Sequence, residues 1–198
     1  MRDEARTKRA EEIEAAAYRL LDERGYDGLS MQALAKAAKA SNETLYRWYG
    51  DKLGLFSALI AGNTATVGAV LEAAGGRDAV AVLEEVGPKL LSMLLGPRAV
   101  ALNRAAAADG SGTLGRALGE AGRGTVGPWI AGVMAQAVEE GGLGGGAPAE
   151  MAETWFALLI GDLQIRRVTG AMDALSDAEV AHRAEVALAR LKAMFPPG

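Results

Sequence analysis

The segment from Ser30 to Phe56, SMQALAKAAKASNETLYRWYGDKLGLF, limits what this chain can fold into more than any other stretch does. A serine side chain accepts the orphan N–H groups at a helix start. Ser30 therefore predicts a short helix that turns Leu34 and Ala35 inward, and Ser41 predicts a second whose first turn holds Asn42, Glu43 and Thr44. Only the break at Ala38-Lys39-Ala40 separates them, which is helix-turn-helix spacing. Gly50 ends the second helix, and Asp51 can cap a long third one.

At about 3.6 residues per turn, Leu45 and Tyr49 fall roughly 40° apart and form the buried side of the second helix. Glu43 and Arg47 then point away from the core, with Thr44 and Tyr46 on the flanks. One anchored side and one side offering hydrogen-bonding groups near the N-terminus is what reading base edges in a major groove requires. Asn42, Glu43 and Thr44 hold that position, so the segment is expected to bind DNA.

The run T-L-Y-R-W-Y-x-D-K-x-x-L-F, preceded by A-L-A-K-A-A, resembles the TetR family of transcriptional regulators over roughly residues 8 to 60. Thr44, Leu45, Tyr46, Tyr49 and Lys52 match the family pattern, and the resemblance implies that Tyr46 and Lys52 grip phosphate. The residues around Arg98 to Arg104 and Gly161-Asp162-Leu163 resemble the AefR-like C-terminal domain. The resemblance implies an all-α chain, with a three-helix helix-turn-helix domain over 1–50, closed by the start of the helix from 51. A helical ligand-binding and dimerisation domain follows over 51–198. It further implies repression of a palindromic double-stranded operator by a homodimer, relieved by a small-molecule effector.

The chain departs from the pattern at three places. Lys39 stands where the family commonly has glycine, and a lysine at positive φ costs on the order of 1 kcal/mol. Either the turn is shaped differently or a phosphate contact by Lys39 offsets the strain. Ala40 replaces a larger apolar plug between the two helices. Trp48 stands where smaller aromatics or histidine are common; it can lie on the sugar-phosphate backbone or fill the domain's edge. The expected DNA-facing set is Ser30, Gln32, Lys39, Ser41, Asn42, Glu43, Thr44, Tyr46, Trp48 and Lys52.

A net charge of -4 looks wrong for a DNA binder until the chain is divided. Through residue 60 there are ten basic and ten acidic residues, against eleven and fifteen beyond it. Within 30 to 56, Lys36, Lys39, Arg47 and Lys52 outnumber Glu43 and Asp51, and local charge sets phosphate attraction. The surface is only modestly basic, so affinity is expected to rely on dimerisation. Near the N-terminus, Arg2, Arg6, Lys8 and Arg9 can form an arm toward DNA or a solvated end.

Helical patterning runs almost throughout the 198 residues. From Asp3 to Arg24, Ile13, Ala16, Ala17, Leu20 and Leu21 form one stripe, ended by Gly25. Helices are expected over Asp78 to Leu95, with Pro88 as a kink that either opens a cavity or is plain packing, and over Arg98 to Ala108. Further ones are expected over Leu114 to Ala121, from Pro128 with Trp129, Val133, Met134 and Ala137 inward, over Pro148 to Thr169, and over Ser176 to Phe195. Met93, Leu102, Trp129, Met134, Trp155, Leu159 and Asp162 are candidates for a mostly apolar effector pocket. Asp162 can equally be an ordinary i, i+4 partner of Arg166. Trp155, Val180, Ala184, Ala187, Leu188 and Leu191 are candidates for a four-helix dimer interface, with burial inside one protomer as the alternative.

The sequence offers little to an enzyme. There is no cysteine, and the single histidine, His182, lacks a nucleophile or carboxylate pattern beside it. Neither a cofactor nor a metal site is expected. Glu84-Glu85 and Glu139-Glu140 point to different helix faces. The N-terminus lacks the continuous apolar core of a secretory signal, and the run from Trp155 to Gly161 falls well short of a membrane span of roughly 18 residues. No membrane association and a cytoplasmic location are expected. Two rival readings stay open: a repressor without a ligand, and a helical small-molecule-binding protein or enzyme with a vestigial DNA motif.

Overall fold

The computed structural model describes residues 2–197, and the side chains of Arg2 and Asp3 lie outside the described residues. No strand occurs among them. The chain runs α1 (Arg2–Gly28), α2 (Met31–Ala38), α3 (Asn42–Tyr49), α4 (Lys52–Ala73), α5 (Ala79–Leu95), α6 (Pro97–Ala108) and α7 (Thr113–Leu118). A π-helical turn, Gly119–Arg123, leads into α8 (Gly124–Glu139), followed by α9 (Pro148–Ile160), α10 (Leu163–Thr169) and α11 (Asp177–Met194).

Local chemistry sets most of the boundaries. Ser30, Ser41 and Asp51 accept the N–H groups of Ala33, Thr44 and Gly54, capping α2, α3 and α4. Gly25 breaks α1 with φ 65° and ψ -176°, and Tyr26 and Leu29 then return to the core. Glu140 reaches across from the end of α8 to accept the N–H of Ala79 at 2.8 Å, supplementing the Asp78 cap of α5.

Two hydrophobic cores result. The first gathers the α1 stripe, Leu29, Leu34, Leu45 and the α4 residues Leu55, Phe56, Leu59 and Ile60. It extends past residue 50 into Leu102, Ala105 and Leu114, so α6 and α7 belong to the packing of the N-terminal head. The second joins α5, α8, α9 and α11 around the fully buried Trp155. Helix α4 serves both, through Phe56 in one core and Val67 in the other. By length and composition α4 is also the one helix among the described residues long and apolar enough to cross a membrane, a stretch the sequence reading did not single out.

Four expectations need correction. The helix expected from Pro128 begins at Gly124, because the backbone stays helical from Thr113 through the π turn. Trp129 turns outward and is 40% exposed, its indole lying over the backbone of Gly68. The single helix expected over 148–169 is two, because Gly161 takes φ 51° and ψ -128°. Finally, Trp155, Val180, Ala184, Ala187, Leu188 and Leu191 are buried within the protomer, where they fill its own core, the alternative that the sequence left open. Helix α5 continues unbroken through Pro88.

Candidate nucleic-acid interface and effector cavity

Helix α3 divides as its periodicity requires: Leu45 is fully buried, while Asn42, Glu43, Tyr46 and Arg47 are exposed. Among the described residues Glu43 and Arg47 form no ion pair, although their i, i+4 spacing would allow one with each other. Thr44 differs. Its hydroxyl lies 2.9 Å from that of Ser41, which also accepts the Thr44 N–H, so the Thr44 side chain is tied to the helix cap.

The turn adopts the strained of the two shapes open to it. Lys39 has φ 51° and ψ 42°, the only non-glycine residue at positive φ among those described. Its N–H bonds back to Lys36, and the Ala40 N–H bonds to Ala35, closing α2 in the manner of a glycine cap. Arg9 braces this turn from α1, donating from Nη2 to the carbonyls of Ala38 at 2.9 Å and Lys39 at 2.7 Å while its Nη1 pairs with Glu12. The guanidinium fork thus ties α1 to the turn, a role hidden from the sequence because it spans about thirty residues.

Trp48 is half-buried at the edge of the head, edge-on to Tyr49 with centroids 6.4 Å apart, and Arg6 sits 5.6 Å above its ring. Lys52 holds its ammonium 3.8 Å from the centre of the Tyr26 ring, and Tyr26 in turn packs edge-on against Phe56. Partial burial lowers the Lys52 pKa while Asp27 opposes the shift. Ser30, Gln32, Lys39 and Ser41 are all exposed on or beside the α2–α3 turn. Of the ten expected DNA-facing residues, Thr44, Trp48 and Lys52 are half-buried and the other seven are exposed.

A cavity of about 330 Å³ lies where the two cores meet, between α4, α5, α6, α7, the π turn, α8, α9 and α10. Its walls are mostly apolar, with Ile60, Leu90, Met93, Leu102, Val126 and Phe156 among them. Of the seven pocket candidates read from the sequence, Met93 and Leu102 line it. Met134, Trp155 and Leu159 are fully buried core side chains away from the cavity, and Trp129 is on the surface. Asp162 is no pocket anchor; its side chain is 71% exposed and 4.0 Å from Arg166. The polar lining comes instead from Asn63, Thr64, Asn103, Gln164 and Arg123. Helical periodicity cannot distinguish a residue facing a void from one facing a neighbour, and so could not select them.

Residues next in sequence to two cavity-lining residues, Ile60 and Ala99, contact α1. Arg98 of α6 lies 5.2 Å over the ring of Tyr18 on α1, and the Tyr18 hydroxyl donates to the Leu59 carbonyl of α4 at 2.8 Å. Beside them, burial raises the Glu14 pKa, Arg98 opposing.

Residues 13–59 match the bacterial regulatory proteins of the tetR family, and residues 81–194, more than half the chain, match the C-terminal domain of AefR-like transcriptional repressors. No curated protein matches the chain in sequence. Similar solved structures include a protein described as a TetR-family regulator from Mesorhizobium loti MAFF303099, at 25% identity over 96% of this chain and 97% of that one with TM-score 0.76. A TetR regulator from Agrobacterium tumefaciens shares 28% identity over 94% of each chain with TM-score 0.76. The flavonoid-responsive regulator FrrA shares 25% identity over 96% and 97% with TM-score 0.68.

Proposed function

Since the chain belongs to the TetR family, as a DNA-binding transcriptional regulator with an AefR-like C-terminal domain, we propose that it is a cytoplasmic homodimeric repressor released from a palindromic operator by a small, mostly apolar effector. The observation that carries the ligand-responsive part is the position of the cavity, whose walls include Ile60 and Leu102, two members of the head's own core. A molecule that fills the cavity presses on α4 and α6, and both bear on α1. If it binds better to the conformer whose heads no longer match successive major grooves, about 34 to 36 Å apart, it lowers operator affinity by population shift alone. FrrA, by its description, answers to flavonoids, which supports a small and largely apolar effector here.

Dimerisation uses the outer faces of α9 and α11 in this reading, since their inner faces are filled by the protomer core. Ala157 on α9 and Ala181 and Ala189 on α11 are exposed, and such small side chains allow a second copy to approach closely. The test is fluorescence anisotropy on a selected operator duplex, titrated with protein and then with candidate effectors. Tight binding that no effector reverses would favour the ligand-independent repressor.

A further inference from the structure

A second space lies beside the cavity. It is an outer groove of about 600 Å³ between α4, α5, the start of α6 and the start of α11, with Gly62, Thr66, Lys89, Ser92 and Arg98 among its walls. Among the described residues, Asn63 and Met93 alone line both spaces. Helical periodicity explains why these two do. At roughly 100° per residue, the cavity residues Ile60 and Thr64 cover one arc of α4 and the groove residues Gly62 and Thr66 cover another, and Asn63 falls between the arcs. Helix α5 repeats the arrangement: Leu90 and Leu94 line the cavity, Lys89 and Ser92 line the groove, and Met93 falls between them.

The two seam residues meet. Asn63 donates from Nδ2 to the Met93 sulfur at 3.1 Å, so the helices are bridged there by side chains and not by backbone. A thioether is a weak acceptor on a side chain with three rotatable bonds, and both residues are only half-buried. Truncating either one removes part of the bridge without emptying a fully buried core position.

Resting on the reading of this cavity as the effector site, we propose that Asn63 and Met93 form its end wall and fix the longest apolar chain it accepts. A ligand gains about fourfold in affinity for each methylene it buries, so affinity climbs with chain length while there is room. Where the chain meets the wall the climb stops, because a further methylene must stay in water or displace the Met93 thioether from Asn63. Taking the wall away joins the cavity to the groove and lets the same chain continue.

Isothermal titration of the full-length protein with the straight-chain primary alcohols from butanol to dodecanol reads the limit as the length at which affinity stops rising. In M93A the rise should continue past the wild-type limit, and an alcohol two methylenes beyond that limit should bind about tenfold more tightly to the variant. N63A, which removes the other half of the wall, should move the limit the same way. Phe156 is half-buried and lines the cavity but not the groove, so F156A adds volume without joining the spaces. It should extend the limit less than M93A does, although it deletes more atoms. Circular dichroism checks that each variant is folded. Affinity that climbs as far as dodecanol in the wild-type protein, an unchanged limit in folded M93A or N63A, or an extension in F156A as large as that in M93A would overturn the wall while leaving the cavity as the effector site. Alcohols that bind neither the wild-type protein nor any variant would overturn the effector reading, and the wall with it.

Discussion

Lys39 and Arg9 show how one turn is held in a shape its sequence disfavours. Replacing Lys39 with glycine removes the cost of φ 51° and should raise stability by about 0.5 to 1 kcal/mol in urea titrations. If Lys39 also touches phosphate, the same variant should lower the slope of log affinity against log salt by about one. A stability gain with an unchanged slope would leave the strain without a DNA-binding purpose. Arg9→Ala removes a charged donor from two carbonyls and should cost about 1.5 to 3 kcal/mol, with uniform loss of operator affinity. Tyr49 buries a hydroxyl without a partner, so Tyr49→Phe should be neutral or stabilising by about 1 kcal/mol; a clear loss of stability would mean that the hydroxyl is satisfied in solution. The caps Ser30, Ser41 and Asp51 were legible in the sequence because a cap acts within three residues. The Arg9 brace was not, since nothing local marks its partners.

Among the elements, the π turn at Gly119–Arg123 forms part of the cavity's wall, and a Cβ on Gly122 would meet Ile60 Cγ2 at an ordinary 3.6 Å. Gly122→Leu should therefore fill the cavity, and its operator complex should persist at effector concentrations that release the wild-type protein, as read by anisotropy. Release at unchanged effector concentration would mean that the effector binds elsewhere. On α5, hydrogen bonds from Lys89 and Arg77 hold the Glu85 carboxyl down at about 2, against an ordinary 4.5. Because the folded-state value is the lower one, this stabilisation is present above pH 4.5 and disappears as pH falls toward 2. The stability difference between wild type and Glu85→Gln should shrink over that window. Helix existence was readable from periodicity, but two junctions were not: the apolar pattern runs on across Gly161, whose positive φ breaks the helix, and the π turn joins segments that Pro128 seemed to divide.

At the scale of the whole molecule, two cores share α4, and the cavity sits at their seam. The sequence revealed the head in detail because a DNA-reading helix imposes a sharp division between anchored and outward residues. It revealed the second core's apolar faces without saying which neighbour each would meet, which is why the expected interface residues on α11 lie inside the protomer. If the outer faces of α9 and α11 pair two copies, Ala157→Arg should shift the protein to monomer in sedimentation equilibrium; a dimer as stable as wild type would exclude that face. On DNA, Tyr46→Ala or Lys52→Ala should weaken binding to every sequence, whereas Asn42→Ala should change base preference. Thr44→Ala should alter preference less, since its hydroxyl is engaged in the cap.

The most direct test of the account is selection of duplexes bound by the purified protein from a random DNA pool at low salt. An enriched inverted repeat, its half-sites in phase with the double helix, is the predicted result and would supply the operator for effector titrations. Failure to enrich any sequence, with the protein shown to be folded and dimeric, would contradict sequence-specific DNA reading as its function.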